Sequence, residues 1–348
     1  MRVLHVDTGR EWRGGQTQLL HLVRHQQGPR AVVLPKGAPL VEPLAAMGVA
    51  TCEVDFKGRL VGGGSLATAI ADFGPDLVAA HTSHAHAHAV RVATCPVVVH
   101  RRLDFKPSAF SRRMYRQAAA YVAVSGAVRE VLLRAGVPPC RVEVVYDGVD
   151  ATPILAASPV DVRAELGLSS QEHVVLAAGA LVDHKAHVHA VHAMGFLPDD
   201  VHLVIAGDGA RRAEIVSHIE ARALQKRVHL LGQRNDVAGL MAGADLFCHP
   251  STEEGLGQVV IEALLAGLPV VATEAGGVPE VVGDLGRLVG VGRPRDLADA
   301  LRASLADLDA ERRRVVAARR QLRQRFSVGT MVEGTERVYR MALDAAAI

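Results

Sequence analysis

Short, unbroken apolar runs recur along the chain, each separated from the next by a stretch long enough to hold a helix. They lie at residues 3–6, 31–34, 77–80, 97–99, 121–124 and 142–145, then at 174–178, 202–206, 228–231, 246–249 and 270–272. A strand covered on both faces has no polar side to alternate with, so it reads as a continuous apolar run. Parallel strands also need a crossover between them, and a helix supplies it. The pattern predicts an α/β chain built from parallel sheets. The alternation falters near residues 151–170, where Pro153, Ser158, Pro159, Ser169 and Ser170 intervene, and then resumes. That divides the chain into one Rossmann-like domain over 1–155 and a second over 168–326. The length of 348 residues agrees, being more than one core usually organises. In such sheets ligands bind beyond the carboxyl ends of the strands, so two facing sheets would enclose a central cleft.

Composition narrows the function classes. Hydrophobic residues make up 49% of the chain, enough for packed cores, but aromatics only 3%. Packing must rest on aliphatic side chains, and an aromatic sugar platform is not expected to dominate. A formal charge of +2 argues against bulk nucleic-acid binding. Cys52, Cys95, Cys140 and Cys248 form no CxxC pair, which argues against a disulfide framework or zinc site and for a reducing, cytoplasmic compartment. The chain enters its first strand without a signal-peptide pattern, and no apolar run approaches the ~18 residues of a membrane span. A soluble protein is expected, with work at the inner face of a membrane left open. Gly62, Gly63 and Gly64 read as a flexible loop.

The densest chemical signal is His249-Pro250-Ser251-Thr252-Glu253-Glu254-Gly255-Leu256-Gly257-Gln258, leading into a run that contains Glu262. It starts where a strand ends and passes through two glycines into a helix. Backbone N–H groups at such a helix start suit a phosphate, and Gly255 and Gly257 let the backbone come close to it. Helical side chains lean toward the N-terminus, so Glu262 and Glu254 can flank one ligand. Carboxylates there can accept from the paired hydroxyls of a ribose or hexose. A lone glutamate would more simply complement the helix dipole; the whole arrangement points to a ligand.

The paired glutamates, with Gly267-Leu268-Pro269-Val270-Val271-Ala272 and Gly276-Gly277-Val278-Pro279-Glu280, resemble the retaining glycosyltransferases of family 4, glycosyl transferases group 1, with the GT-B fold. The resemblance runs over nearly the whole chain. It implies two facing Rossmann-like domains with a central cleft, the C-terminal helix at about 331–348 packing back on the first. It also implies retaining transfer of a sugar from a nucleotide-diphosphate sugar to an acceptor hydroxyl, on a glycan or lipid-linked acceptor, without a metal or other cofactor. Trp12-Arg13-Gly14-Gly15-Gln16 and His100-Arg101-Arg102-Leu103-Asp104-Phe105 resemble enzymes of cell-envelope or lipopolysaccharide assembly.

By the same resemblance, Glu254 contacts donor-sugar hydroxyls, Glu262 binds the nucleotide ribose, and the backbone of Leu256, Gly257 and Gln258 holds the diphosphate. Lys185 neutralises the leaving phosphate as a point charge. The arginine usual beside it is replaced by Ala180, with Arg13, Arg211 and Arg212 as candidate substitutes. Gly15 approaches the donor from the first domain, or simply makes the turn after a strand. Arg234 stacks on the base, or is an exposed loop arginine. His100 sits near the reacting sugar, or makes a structural hydrogen bond at a strand end. Glu254, Lys185 and His100 are the candidate catalytic residues.

Two histidine groups, His81, His84, His86 and His88, and His184, His187, His189 and His192, lack nearby paired carboxylates. They read as cleft-lining or solvated helix starts rather than metal sites. The basic stretch Arg101, Arg102, Lys106, Arg112, Arg113 and Arg116 either meets an anionic lipid or phosphorylated glycan, giving peripheral membrane contact, or is a solvated helix. Two alternatives share the nucleotide site: a GT-B sugar-nucleotide epimerase, and a non-catalytic nucleotide-sugar-binding protein, for which Ala180 leaves room. A dehydrogenase is disfavoured, because Gly207-Asp208-Gly209-Ala210-Arg211-Arg212 is not a full GxGxxG fingerprint after the first strand.

Overall fold

The computed structural model describes residues 1–56, 61–102 and 112–347. Leu103, Asp104, Phe105 and Lys106 lie outside the described residues, as does the side chain of Arg112. The chain folds as two compact units, Met1–Gly148 with Val328–Ile348, and Val149–Ser327. The short helix Ala151–Leu155, expected with the N-terminal domain, falls in the second unit.

Among the described residues of the first unit, the strands are β1 (Val3–Val6), β2 (Arg30–Pro35), β3 (Ala50–Val54), β4 (Leu77–Ala80), β5 (Val97–Arg101), β6 (Ala120–Ala123) and β7 (Val142–Val144). They pair in parallel in the order β3-β2-β1-β4-β5-β6-β7. The second unit holds β8 (His173–Ala178), β9 (Val201–Ala206), β10 (Val228–Gly232), β11 (Leu246–His249), β12 (Val270–Thr273) and β13 (Arg287–Val289), ordered β10-β9-β8-β11-β12-β13. Each sheet starts in the middle, grows to one edge, then returns to grow the other way. That reversal is the switch point of a doubly wound fold, where ligands gather at the carboxyl ends.

The sequence reading missed β3 and β13, which both sit at sheet edges. The β3 residues are mostly exposed or half-buried, and those of β13 are half-buried throughout, so neither has the unbroken apolar run of a central strand. Gly62, Gly63 and Gly64 lie in the helix Val61–Phe73 and do not form the expected loop. Leu66, Ala69 and Ile70 are buried farther along it, and that apolar spacing carries the helix despite its glycines.

The last helix, Val328–Ala346, belongs to the first unit. Its Met331, Val332, Val338, Tyr339 and Ala342 share a core with Val3, Leu77 and Val98 of the sheet. No helix among the described residues is long and apolar enough to cross a membrane.

Candidate functional site

In the second unit, the loops after β8, β9 and β11 are tied to one another through the backbone. Leu181 N–H donates to Asp208 O at 3.0 Å, and Arg211 N–H donates back to Leu181 O at 2.9 Å. Thr252 N–H donates to His184 O at 2.8 Å. These bonds bring two segments distant in sequence, around Lys185 and Glu254, to one place. There Lys185 Nζ lies 2.5 Å from Glu254 Oε2. His249 Nε2 approaches the same oxygen at 3.1 Å, and Ser251 Oγ lies 3.0 Å from that nitrogen.

Burial alone would raise the Glu254 carboxyl. The His249 hydrogen bond and the Lys185 charge outweigh it and bring the group down to about 2. His249, only 2% exposed, is lowered by burial despite its carboxylate partner. With Nε2 donating to Glu254, a neutral His249 carries its proton there. His187, also buried, is held down to about 4 by burial and then by the charges of His249 and Lys185. The result is one fixed carboxylate and one ammonium among neutral imidazoles.

Gly257 lies just beyond this pair in the left-handed region, at φ 94°, and Gln258 begins the helix Gln258–Ala266. A β-carbon on Gly257 would sit 3.2 Å from Val278 Cγ2, so both conformation and space select glycine. Leu256 is buried beneath the turn. Glu262 follows Gln258 by one helical turn. It is half-buried, and among the described residues no hydrogen bond or ion pair engages it. Burial raises its carboxyl to about 7. The two glutamates thus differ in kind: Glu254 is paired and ionised, whereas Glu262 is unpaired and poised near neutrality.

Other candidates have partners of their own. Arg234 is bound to Asp236 at 2.6 Å and to Glu165 at 3.2 Å. Of the arginines considered for the place lost at Ala180, Arg13 pairs with Glu11, and Arg211 pairs with Asp183 and Glu214. Arg212 has no ion pair among the described residues, and its Nη1 is buried without a hydrogen bond. In the first unit, Gly15 is the second residue of the helix Gly14–His25, and a β-carbon there would meet Arg102 Cδ at 4.0 Å. His100 is 4% exposed, with Nε2 2.7 Å from Tyr339 Oη and its ring stacked on His81. Burial, then the Arg102 charge, holds it well below the usual histidine range. The structural hydrogen bond weighed for it is present.

Of the histidine groups expected as cleft-lining or solvated helix starts, His84 and His184 are exposed and the others are buried or half-buried. His86 is buried edge-on to Tyr115 and Tyr121, and His88 packs on Phe56. His187 is buried, and His192 contacts His218. Among the described residues no group of three or more His, Cys, Asp or Glu is placed to hold a metal ion.

Two family models match the chain, Glycosyl transferases group 1 over residues 161–321 and Glycosyltransferase Family 4 over residues 48–152. Together they span both units. The chain belongs to the GT-B-type glycosyltransferases. Among relatives of this family, the chain is 33% identical over 250 residues to the alpha-maltose-1-phosphate synthase of Mycolicibacterium smegmatis, covering 66% of this chain and 65% of that protein. It is 28% identical over 206 residues to the N-acetyl-alpha-D-glucosaminyl L-malate synthase of Bacillus anthracis, covering 58% and 54%. These matches span from about half to just under two thirds of the relatives' own lengths. Crystal structures of HepE from Anabaena, one in complex with UDP and one with UDP-glucose, have TM-scores of 0.87 and 0.86. Each has 25% identity and covers 98% of this chain; the coverage of the HepE chains is 100% and 99%.

Sequence reasoning selected Lys185 and Glu254 but assigned no role to His249 or Ser251, although both lie in the segment it singled out. The signal was a polar pair at the end of a buried strand, where apolar residues would otherwise continue. Tyr339 was also missed, because its partner His100 is remote in sequence.

Proposed function

We propose that the chain transfers a glycosyl group, with retention of anomeric configuration, from a nucleotide-diphosphate sugar to an acceptor hydroxyl. The observation that carries this reading is the meeting of Lys185 and Glu254 beside the Gly257 turn. Glu254, fixed as an anion, accepts hydrogen bonds from the sugar. Lys185 and the first amides of the helix Gln258–Ala266 stabilise the diphosphate as its bond to the anomeric carbon breaks. The acceptor oxygen bonds to that carbon on the same face, and its proton passes to the departing phosphate. Glu262 takes the ribose hydroxyls. HepE, crystallised with UDP and UDP-glucose, supports a UDP-sugar as donor. The acceptor in this reading is a glycan or lipid-linked hydroxyl of the cell envelope, met at the inner face of a membrane.

The test is to incubate the protein with UDP-glucose, alone and with an acceptor panel, and to follow the products by NMR. An α-linked product that appears only with acceptor is expected. A new sugar nucleotide from donor alone would indicate an epimerase, and binding without turnover a non-catalytic role.

Glu262 gives this reading a pH signature. Ribose hydroxyls favour the ionised carboxylate, whereas the unliganded group sits near 7. Affinity for UDP-glucose should therefore rise by about tenfold between pH 6 and pH 8 and level off above, as expected for a group at 7 that binding drives down. Isothermal titration calorimetry should show the rise in the wild type and a flat profile in Glu262→Gln. The sign for stability is opposite. A carboxyl raised on folding withdraws stability as pH climbs from its ordinary value toward 7, so Glu262→Gln should melt higher than wild type at pH 8 and not at pH 4.5.

A further inference from the structure

The chain has a single tryptophan, Trp12, and leaves it 48% exposed. Burial is the ordinary use of so large a ring, above all where only 3% of residues are aromatic. The ring is nonetheless tethered. Its indole N–H donates to Thr17 Oγ1 at 3.1 Å. The loop beneath it is anchored from within. Asp7, buried just past β1, accepts from Gly9 N–H at 2.6 Å and from Gln16 Nε2 at 3.2 Å. Gln16 Oε1 in turn accepts from Arg13 N–H at 3.2 Å. Glu11 and Arg13, on either side of Trp12, pair with each other at 2.6 Å.

The loop therefore presents an apolar ring whose N–H is satisfied and whose flanking charges are matched. It does so at the carboxyl end of a central parallel strand, where ligands of this architecture bind. A bilayer or protein partner would call for a patch of apolar residues. Here a lone ring sits among Arg10, Glu11, Arg13 and Gly14. The ligand that fits one rigid ring in polar surroundings has an apolar face edged by hydroxyls, as a pyranose does.

We propose that Trp12 is the stacking platform for a pyranose ring of the acceptor. The assignment rests on the glycosyl-transfer reading and adds the residue that recognises the second sugar. It needs no aromatic cluster, in keeping with a chain so poor in aromatics.

Because Trp12 is the only tryptophan, its emission reports this position alone. The protein, with UDP present, is titrated with glucose, galactose, N-acetylglucosamine, maltose and a wider panel of soluble oligosaccharides. Saturable quenching by at least one sugar is expected. With that sugar as acceptor, Trp12→Ala should raise KM at least tenfold and Trp12→Phe much less. UDP-glucose should still raise the melting temperature of both variants, which shows them folded and able to bind donor. The proposal is overturned if no sugar perturbs the emission, or if Trp12→Ala leaves the acceptor KM unchanged. Failure of UDP-glucose to bind the wild type would instead sink the transfer reading, whatever the fluorescence shows.

Discussion

Lys185→Ala and Glu254→Gln are each expected to lower kcat/KM for sugar transfer by about 10²–10³-fold, or roughly 3–4 kcal/mol of transition-state stabilisation, with far-UV circular dichroism unchanged. The side chains are 2.5 Å apart and largely sheltered from water, so each fixes the other's position. In the proposed reaction Lys185 supplies the positive charge toward which the departing diphosphate moves, and Glu254 is the anion that orders the sugar. Glutamine keeps the shape of Glu254 but gives up its charge, so the variant separates electrostatics from packing.

The pH dependence has a definite sign. Glu254 is depressed to about 2, so its pairing energy is fully present above its ordinary value and disappears only as pH falls toward 2. In the proposed reaction, activity loss between pH 7 and pH 5 would then come from another group, and Glu262, raised to about 7, is the expected source. Near-normal turnover by either purified single variant would remove the proposed roles.

How much of this was legible in the sequence depends on where each residue's partners lie. Central strands announce themselves because both faces are buried. Thus β1, β4, β8 and β11 stand out as apolar runs, and edge strands such as β3 and β13 do not. The Gly257 turn and the following helix were legible because all their parts are consecutive. The environment of each carboxylate was not. Glu254 and Glu262 look alike in a sequence, yet one meets Lys185 and His249 and the other pairs with no charge among the described residues. His249 is only five positions from Glu254, but Lys185 is 69 positions away and is brought in by the order β8-β11 in the sheet. The histidines show the same limit. Alternation of His with Ala in residues 84–88 suggests a polar helix face, but Tyr115 of a short later helix and Tyr121 of β6 pack edge-on against His86 and bury it.

A second large effect is expected at a residue that touches no proposed ligand group. Gly207→Ala should destabilise the second unit by roughly 2–4 kcal/mol, seen as a fall of about 5–15 °C in its melting temperature. Gly207 follows β9 at φ 152°, and a β-carbon there would sit 2.0 Å from the O atom of Gly179, the residue after β8. Backbone is the obstacle, so no side chain can swing aside. The sheet must open or the loop must move, and that loop carries Ala180 through Lys185. Its next residues are pinned by Leu181 N–H to Asp208 O and Arg211 N–H to Leu181 O. Displacement therefore draws Lys185 away from Glu254, and UDP-glucose binding should weaken in proportion to the melting shift. Gly167 is the control. It has φ 68° at a helix end and open space around its missing β-carbon. Gly167→Ala should cost only the left-handed backbone strain, about 1 kcal/mol, and leave UDP-glucose binding intact. Equal melting temperatures for the two variants would show that the backbone contact between Gly179 and Gly207 does not hold the Lys185 loop in place.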